Sequence, residues 1–282
     1  MLSKSLKDRF NTSREELARL GSEFNSEAFP LLEKLYNTSY WILLNKGASK
    51  KIIRQTFFEA IENCDITKNY ADWQSWIQRI WMREILDFYS KKENDTQTIF
   101  DFIDHAEVNL NDVKVLFSSD KFKSRSTERE LTTYLEKLPA VLRIPMIMKE
   151  IHALNYEKIA ELIDVPDGVI ATRIYRARKL LYLFLRDNFD FDERKRIGVG
   201  EGSVKMIFDL RRCALLVDEE FNKEQEKDFI ESMKDNGRYE TEILIQSGIK
   251  KLFLNLSPAT SEVKQIRDKI ERKANKRFGN KD

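Results

Sequence analysis

Glycine and proline are scarce, 9 and 5 residues in a chain of 282. Sheet-rich and loop-rich folds need both at their turns, so the shortage points to an all-α protein. Cysteine and histidine are scarcer, two of each. Cys64 and Cys213 stand far apart and form no C-x-x-C pair, and two histidines do not complete a Cys/His zinc cluster. A reduced chain with no metal and no cofactor is the expectation. No apolar run approaches the length of a membrane span, and the polar start MLSKSLKDRF is no signal peptide. A cytoplasmic protein without a membrane partner is therefore expected. An excess of one charge is missing too: 49 Lys and Arg stand against 47 Asp and Glu, for a net charge of +2. Any affinity for nucleic acid has to come from local clusters of cations. Carboxylate pairs, a Ser/His/Asp set and Gly-rich phosphate loops are absent as well, so the chain is not expected to be an enzyme. Of the two histidines, His105 falls in an acidic stretch and His152 at a helix end.

What is present is organised around Leu138 to Leu185. Leu138-Pro139 opens an apolar helix, because proline is tolerated in a first turn. That helix is expected to end near His152-Ala153-Leu154. Asn155 is a good N-cap for a short helix, Tyr156 to Ile163, with Ile159, Ala160 and Ile163 at core spacing. Asp164-Val165-Pro166-Asp167-Gly168 breaks the chain before a third helix. On that helix Ile170, Ile174, Ala177, Leu181 and Phe184 share one stripe, and Thr172, Arg173, Arg176 and Lys179 fall opposite. A short helix, a tight turn and a second helix, apolar inward and basic outward, describe a helix-turn-helix whose cations reach DNA phosphates and base edges. A helical hairpin with a solvated basic face has the same pattern.

These residues carry a resemblance. Leu138, Pro139, Arg143, Tyr156, Ile159, Ala160, Pro166, Gly168, Arg173, Arg176, Ala177 and Arg178 match the pattern of region 4 of bacterial extracytoplasmic-function (ECF) sigma factors, a branch of the sigma-70 family. Val169 and Ala171 stand where that family usually has Thr and Lys, which removes one hydroxyl and one cation from the phosphate-facing side.

Upstream, Phe29, Leu32, Tyr36, Tyr40 and Leu43 mark a helix by their spacing. Asn45 to Ser49 interrupts it, with Ser49 placed to cap a helix from Lys50 to Cys64 that buries Ile53, Phe57, Ala60 and Ile61. The loop Asp65 to Asp72 leads to a Trp-rich helix with Trp73, Trp76 and Trp81. The stretch resembles region 2 of the same family: Ile52-Ile53-Arg54-Gln55-Thr56-Phe57 and Trp76-Ile77-Gln78-Arg79-Ile80 stand at its motifs. The resemblance implies that Ile53, Arg54, Gln55 and Phe57 dock on RNA polymerase core. It implies also that the loop captures an unstacked base of the minus-ten element, with Asn69, Tyr70 and Trp73 as candidates, since base–aromatic stacking is worth about 1–3 kcal/mol. Core packing is the other reading of these aromatics. Lys50, Lys51 and Arg54 invert the acidic or neutral character that the family shows there, which bears on polymerase docking.

From Glu93 to Val113 the chain holds six acidic residues and no Lys or Arg, the composition of a solvated linker; in the family the linker threads the polymerase. Ile99, Phe100, Phe102, Ile103, Val115, Leu116 and Phe117 make it and the residues that follow more apolar than an idle spacer, so ordered parts are expected. Arg194 to Ser203, with three glycines, is a second linker. The order of features beyond it, Cys213, Leu216-Val217-Asp218-Glu219-Glu220-Phe221, two helices and Pro258, resembles zinc-binding anti-sigma domains. Ser232, Asn236 and Tyr239 occupy the ligand places, so no zinc is expected.

The expected organisation is an N-terminal arm (1–23), a region 2-like domain (24–92), an acidic linker (93–127), a region 4-like helix-turn-helix domain (128–190), a linker (191–205) and a C-terminal helical extension (206–282). The implied function is an ECF-type sigma factor. Its expected partners are RNA polymerase core, promoter DNA, and its own extension or an anti-sigma protein. Thr172, Arg173, Arg176 and Lys179 are the expected upstream-element contacts. A helix-turn-helix regulator that no longer docks polymerase and a protein-binding helical scaffold are the alternatives.

Overall fold

A computed structural model of the chain describes residues 4–64, 73–90, 99–100, 103–104, 106, 108–118, 125–187, 209–234, 237–254, 256, 258–260 and 262–279. The fold is all-α. Among the described residues there are thirteen main helices and no strand. Contacts group them into two compact units, Met1–Lys91 with Pro258–Asp282, and Lys92–Ser257. The expected C-terminal extension therefore contributes to both units.

The first unit contains α1 (Lys4–Glu27), α2 (Phe29–Leu43), α3 (Lys46–Asn63), α4 (Trp73–Tyr89) and a helix from the far end of the chain, Val263–Phe278. The expected N-terminal arm is helical from Lys4. α1 buries Leu20 and Phe24, and the Phe24 ring is the hub of the unit. It lies 5.6 Å from Phe29, 6.3 Å from Phe57, 5.8 Å from Trp73 and 5.8 Å from Phe278. Rings from all five helices thus meet around one side chain, at separations that favour edge or tilted contact. The α2–α3 junction is tighter than expected. Leu44 adopts φ 53° and returns its N–H to Tyr40 O, which ends α2 at once. Asn45 is then extended and accepts from Ala48 N at 2.9 Å, so it caps α3. Ser49, the expected cap, lies inside the first turn and donates its hydroxyl back to Asn45 O. The last helix buries Ile266, Ile270, Ala274 and Phe278, a strict four-residue stripe, and packs on α1, α2 and α3.

The second unit holds α5 (Leu110–Ser118), α6 (Arg125–Lys137), α7 (Ala140–Glu150), α8 (Tyr156–Ile163), α9 (Asp167–Asp187), α10 (Arg212–Val217), α11 (Lys223–Met233) and α12 (Gly237–Leu254). The last helix of the chain, Val263–Phe278, is α13. Pro139 opens α7 from the N-cap, one position before the expected first turn, and Pro145 sits inside the helix, where its ring removes one hydrogen bond. α7 stops at Glu150, short of the expected end, and Ala153 turns left-handed at φ 56°. Arg143 is buried and donates to the carbonyls of Leu135 and Glu136 at the end of α6. A cation on the last carbonyls of a neighbouring helix also meets the negative end of its dipole. α9 is the axis of the unit, packed by α6, α7, α8, α10 and α12.

Candidate nucleic-acid interface

The helix-turn-helix is built as its residues dictate. Asn155 caps α8 by accepting from Lys158 N at 2.9 Å, and Asp164 ends it in the left-handed region at φ 54°. α9 starts at Asp167 and buries Ile170, Ile174, Ala177, Leu181 and Phe184 along the expected stripe.

The opposite face is only partly open to solvent, which corrects the expectation of an outward basic surface. Thr172 is half-buried, its hydroxyl bonded to Gly168 O at 3.0 Å. Arg173 is half-buried, and burial pulls its guanidinium pKa down. Arg176 grips Asp104 with two nitrogens: Nε donates to Oδ1 at 2.9 Å and Nη2 to Oδ2. Lys179 is fully buried, and its Nζ donates to Glu242 Oε1 at 2.8 Å. The physical reason is a cover. Asp104 lies in the acidic stretch expected to be a solvated linker, and Glu242 belongs to α12 of the extension.

The cover touches both helices of the motif. At the start of α8, Tyr156 OH donates to Asp218 Oδ2 at 2.6 Å and Tyr156 N to Glu220 Oε2 at 3.2 Å, while Lys149 pairs with Glu220. At the start of α9, Arg211 Nη1 donates to Gly168 O at 3.0 Å. Along α9, Gln246 Nε2 donates to Tyr175 O at 3.2 Å, and Tyr175 packs with Leu210, Ala214 and Tyr239. Arg178 is fully buried; it donates to Glu150 Oε1 at 2.7 Å and to both oxygens of Asp218 at 2.8 and 2.9 Å. Lys250 adds its charge 3.0 Å from Asp218.

Burial pushes the carboxyl pKa of Glu150 up, and the charge of Arg178 offsets only part of it. Burial acts on Asp218 in the same direction, but Arg178 and the Tyr156 hydroxyl reverse it and hold that carboxyl below its usual range. Burial, then Asp218, raises the Tyr156 phenol well above its usual value. Removing one member of such a network leaves an uncompensated buried charge. In the sequence Arg178 stands out only as a motif match, and Asp104, Asp218 and Glu242 do not stand out as site residues. Their contacts join positions 28 to 72 residues apart, and no local spacing reports that.

In the first unit, Ile53 and Phe57 are fully buried, and Arg54 and Gln55 are exposed. Lys50 pairs with Glu262; with Lys51, Arg54, Ile266 and Lys269 it lines a cavity of about 170 Å³ between α3 and α13. Trp73 is 3% exposed, its ring against Phe24 and Trp76 at 5.8 and 5.5 Å. A base-stacking role for it requires that it first be uncovered. Asn69 and Tyr70 lie outside the described residues.

At the expected ligand places of the extension, Ser232 donates to Phe229 O at 2.7 Å, and Tyr239 meets the Phe229 ring edge-on at 5.3 Å. Phe221 joins the cluster, and the Arg212 guanidinium lies 4.6 Å from the Phe229 ring. Asn236 lies outside the described residues. Among the described residues, no group of three His, Cys, Asp or Glu side chains could hold a metal ion, and no helix is long and apolar enough to cross a membrane.

Residues 128–181 match the family described as Sigma-70, region 4. The ECF RNA polymerase sigma-E factor of Haemophilus influenzae is 23% identical over 164 residues, covering 56% of this chain and 87% of that protein. The ECF RNA polymerase sigma factor SigW of Bacillus subtilis is 27% identical over 164 residues, 55% of this chain and 84% of the relative. The RNA polymerase sigma factor SigV of the same organism is 22% identical over 153 residues, 54% and 85% of the two chains.

Proposed function

We propose that this chain is an ECF-type sigma factor: it binds RNA polymerase core, recognises promoter DNA, starts transcription in the cytoplasm, and carries its own cover. The observation that carries the reading is the capped helix-turn-helix formed by α8 and the start of α9, within the matched residues 128–181. α9 reads the upstream element with Thr172, Arg173, Arg176 and Lys179. Arg54 and Gln55 present the polymerase-facing side of α3, with Ile53 and Phe57 as its structural backing. Asn69 and Tyr70 meet the minus-ten element. The chain itself performs no catalytic step.

The extension acts as an internal inhibitor of DNA reading. What supports this is that it holds Lys179 in a buried ion pair and contacts α9 from Gly168 to Tyr175. A second reading, a helix-turn-helix regulator that no longer docks polymerase, draws on the cations Lys50, Lys51 and Arg54 around one cavity.

The test is in-vitro transcription with purified core polymerase on genomic fragments, with transcript starts mapped. Defined starts, increased by Glu242→Gln, are the expected result. Duplex binding without core association would favour the second reading, and neither activity in either protein would end the first.

A further inference from the structure

Arg176 is held by a segment other than the C-terminal extension. Its planar fork meets the Asp104 carboxylate with two nitrogens, the bidentate geometry that arginine also offers to phosphate and to the guanine edge. Phe100 of the same segment lies with its ring 4.6 Å from the guanidinium, a cation–π contact on the same cation. Neither partner is a solvated surface group: the Asp104 side chain is 3% exposed and that of Arg176 18%. The Asp104 charge also reaches Tyr175, one residue back on α9, although burial and Glu242 weigh more there.

The segment is anchored a short way downstream. Phe117 of α5 lies 6.1 Å from Tyr182 of α9. On its other side is α12, at a position where only glycine leaves room: a Cβ on Gly248 would come within 2.5 Å of the Phe117 ring. Lys114 of α5 pairs with Glu240 of α12 at 3.2 Å. The acidic stretch is therefore fixed against α9 at one point by charge and at another by a ring.

We infer that Asp104 is an internal stand-in for the DNA backbone: it occupies the fork of Arg176 so that linker and duplex compete for the same cation. This lock is separate from the Lys179–Glu242 pair. It rests on the reading of α9 as the DNA-reading helix. Its consequence is that displacing the linker at Asp104 frees one full phosphate contact.

The experiment is fluorescence anisotropy of the full chain with a generic labelled duplex, between about 50 and 200 mM salt. Wild type, Asp104→Asn, Arg176→Ala and the double variant are compared, with thermal melts recorded for each. Asp104→Asn is expected to bind about five-fold tighter or more, with a log–log salt slope steeper by about one, because one more cation meets phosphate. Adding Arg176→Ala is expected to cancel both gains. If Arg176→Ala weakens binding while Asp104→Asn changes nothing, the stand-in is wrong and the DNA-reading assignment survives. A gain that persists without Arg176 also overturns the stand-in, since loosening of the cover or bulk charge then explains it. If no variant alters affinity or slope, or none binds even when Glu242→Gln is added to loosen the extension, both the stand-in and the assignment of this face to DNA fall.

Discussion

The C-terminal extension packs within each of the two units by different physics. In the first, α13 lays an apolar stripe of Ile266, Ile270, Ala274 and Phe278 against its neighbours, and its ion pairs, Lys50 with Glu262 and Lys273 with Glu62, sit at the solvent edge. In the second, the contacts on α9 centre on charges that are wholly buried, Arg178 with Asp218 and Lys179 with Glu242. Apolar burial is non-directional and adds roughly in proportion to area. Buried ion pairs contribute little net stability, but each fixes its partner in place, because any other arrangement leaves a charge unpaired in a poorly polarisable interior. The first contact is an adhesive and the second a registered fit.

This contrast is most exposed to test at Lys179. Glu242→Ala strands a fully buried ammonium and is expected to lower the unfolding free energy of the second unit by about 3–5 kcal/mol, read from urea titration. A loss below about 1 kcal/mol would mean that water reaches Lys179 and that the contact is no different in kind from those at the edge of α13. On the apolar side, Phe278→Ala is expected to cost about 3 kcal/mol, and the cost should be the same in low and high salt; a strong salt dependence would erase the difference.

A smaller effect bears on the packed linker. Gly248→Ala forces the Phe117 ring to move and is expected to cost about 1–3 kcal/mol, again by urea titration, whereas Gly237→Ala, where a Cβ meets nothing within 4 Å, serves as the control. The charge network also gives a signed pH effect. Asp218 is held below its ordinary pKa, so its stabilisation is complete above the unfolded value of about 3.9 and is lost as pH falls through the lower folded value. Glu150 is raised and works the other way, its burial cost vanishing as it takes up a proton. Asp218→Asn is thus expected to flatten the fall of the urea midpoint below about pH 4. Least of all, Lys273→Ala at the edge of α13 is expected to change stability by under about 1 kcal/mol; a thermal melt that moves by more than a few degrees would contradict the solvent-edge description.

Sequence reports structure here where structure is local. The Asn155 cap, the break at Asp164 to Gly168 and the stripe from Ile170 to Phe184 follow from rules that span a few residues, and the helix-turn-helix stands where they put it. α3 starts at Lys46 and not at the expected Lys50, because Asn45 and Ser49 are both good caps and only the left-handed Leu44 decides between them. The covered face of α9 leaves no such local trace. Arg176 and Lys179 look like solvated cations on a helical wheel, and their partners Asp104 and Glu242 look like members of ordinary charge runs. Pairing them is a property of the tertiary fold, and composition that sums to a net charge of +2 hides it by balancing the two sides.

The cover and the helix it hides belong to one polypeptide, with Glu242 and Lys179 separated by 63 residues of the same chain. An inhibitor made as a second protein can be outnumbered, titrated away or diluted, and its grip changes with the amounts of both. With the proposed inhibitor in the same chain, the ratio of cover to helix is fixed at one to one, and the contact has no dependence on concentration. Making more of the protein therefore does not shift the proportion of molecules whose α9 is uncovered; only something that changes the balance within each molecule does so.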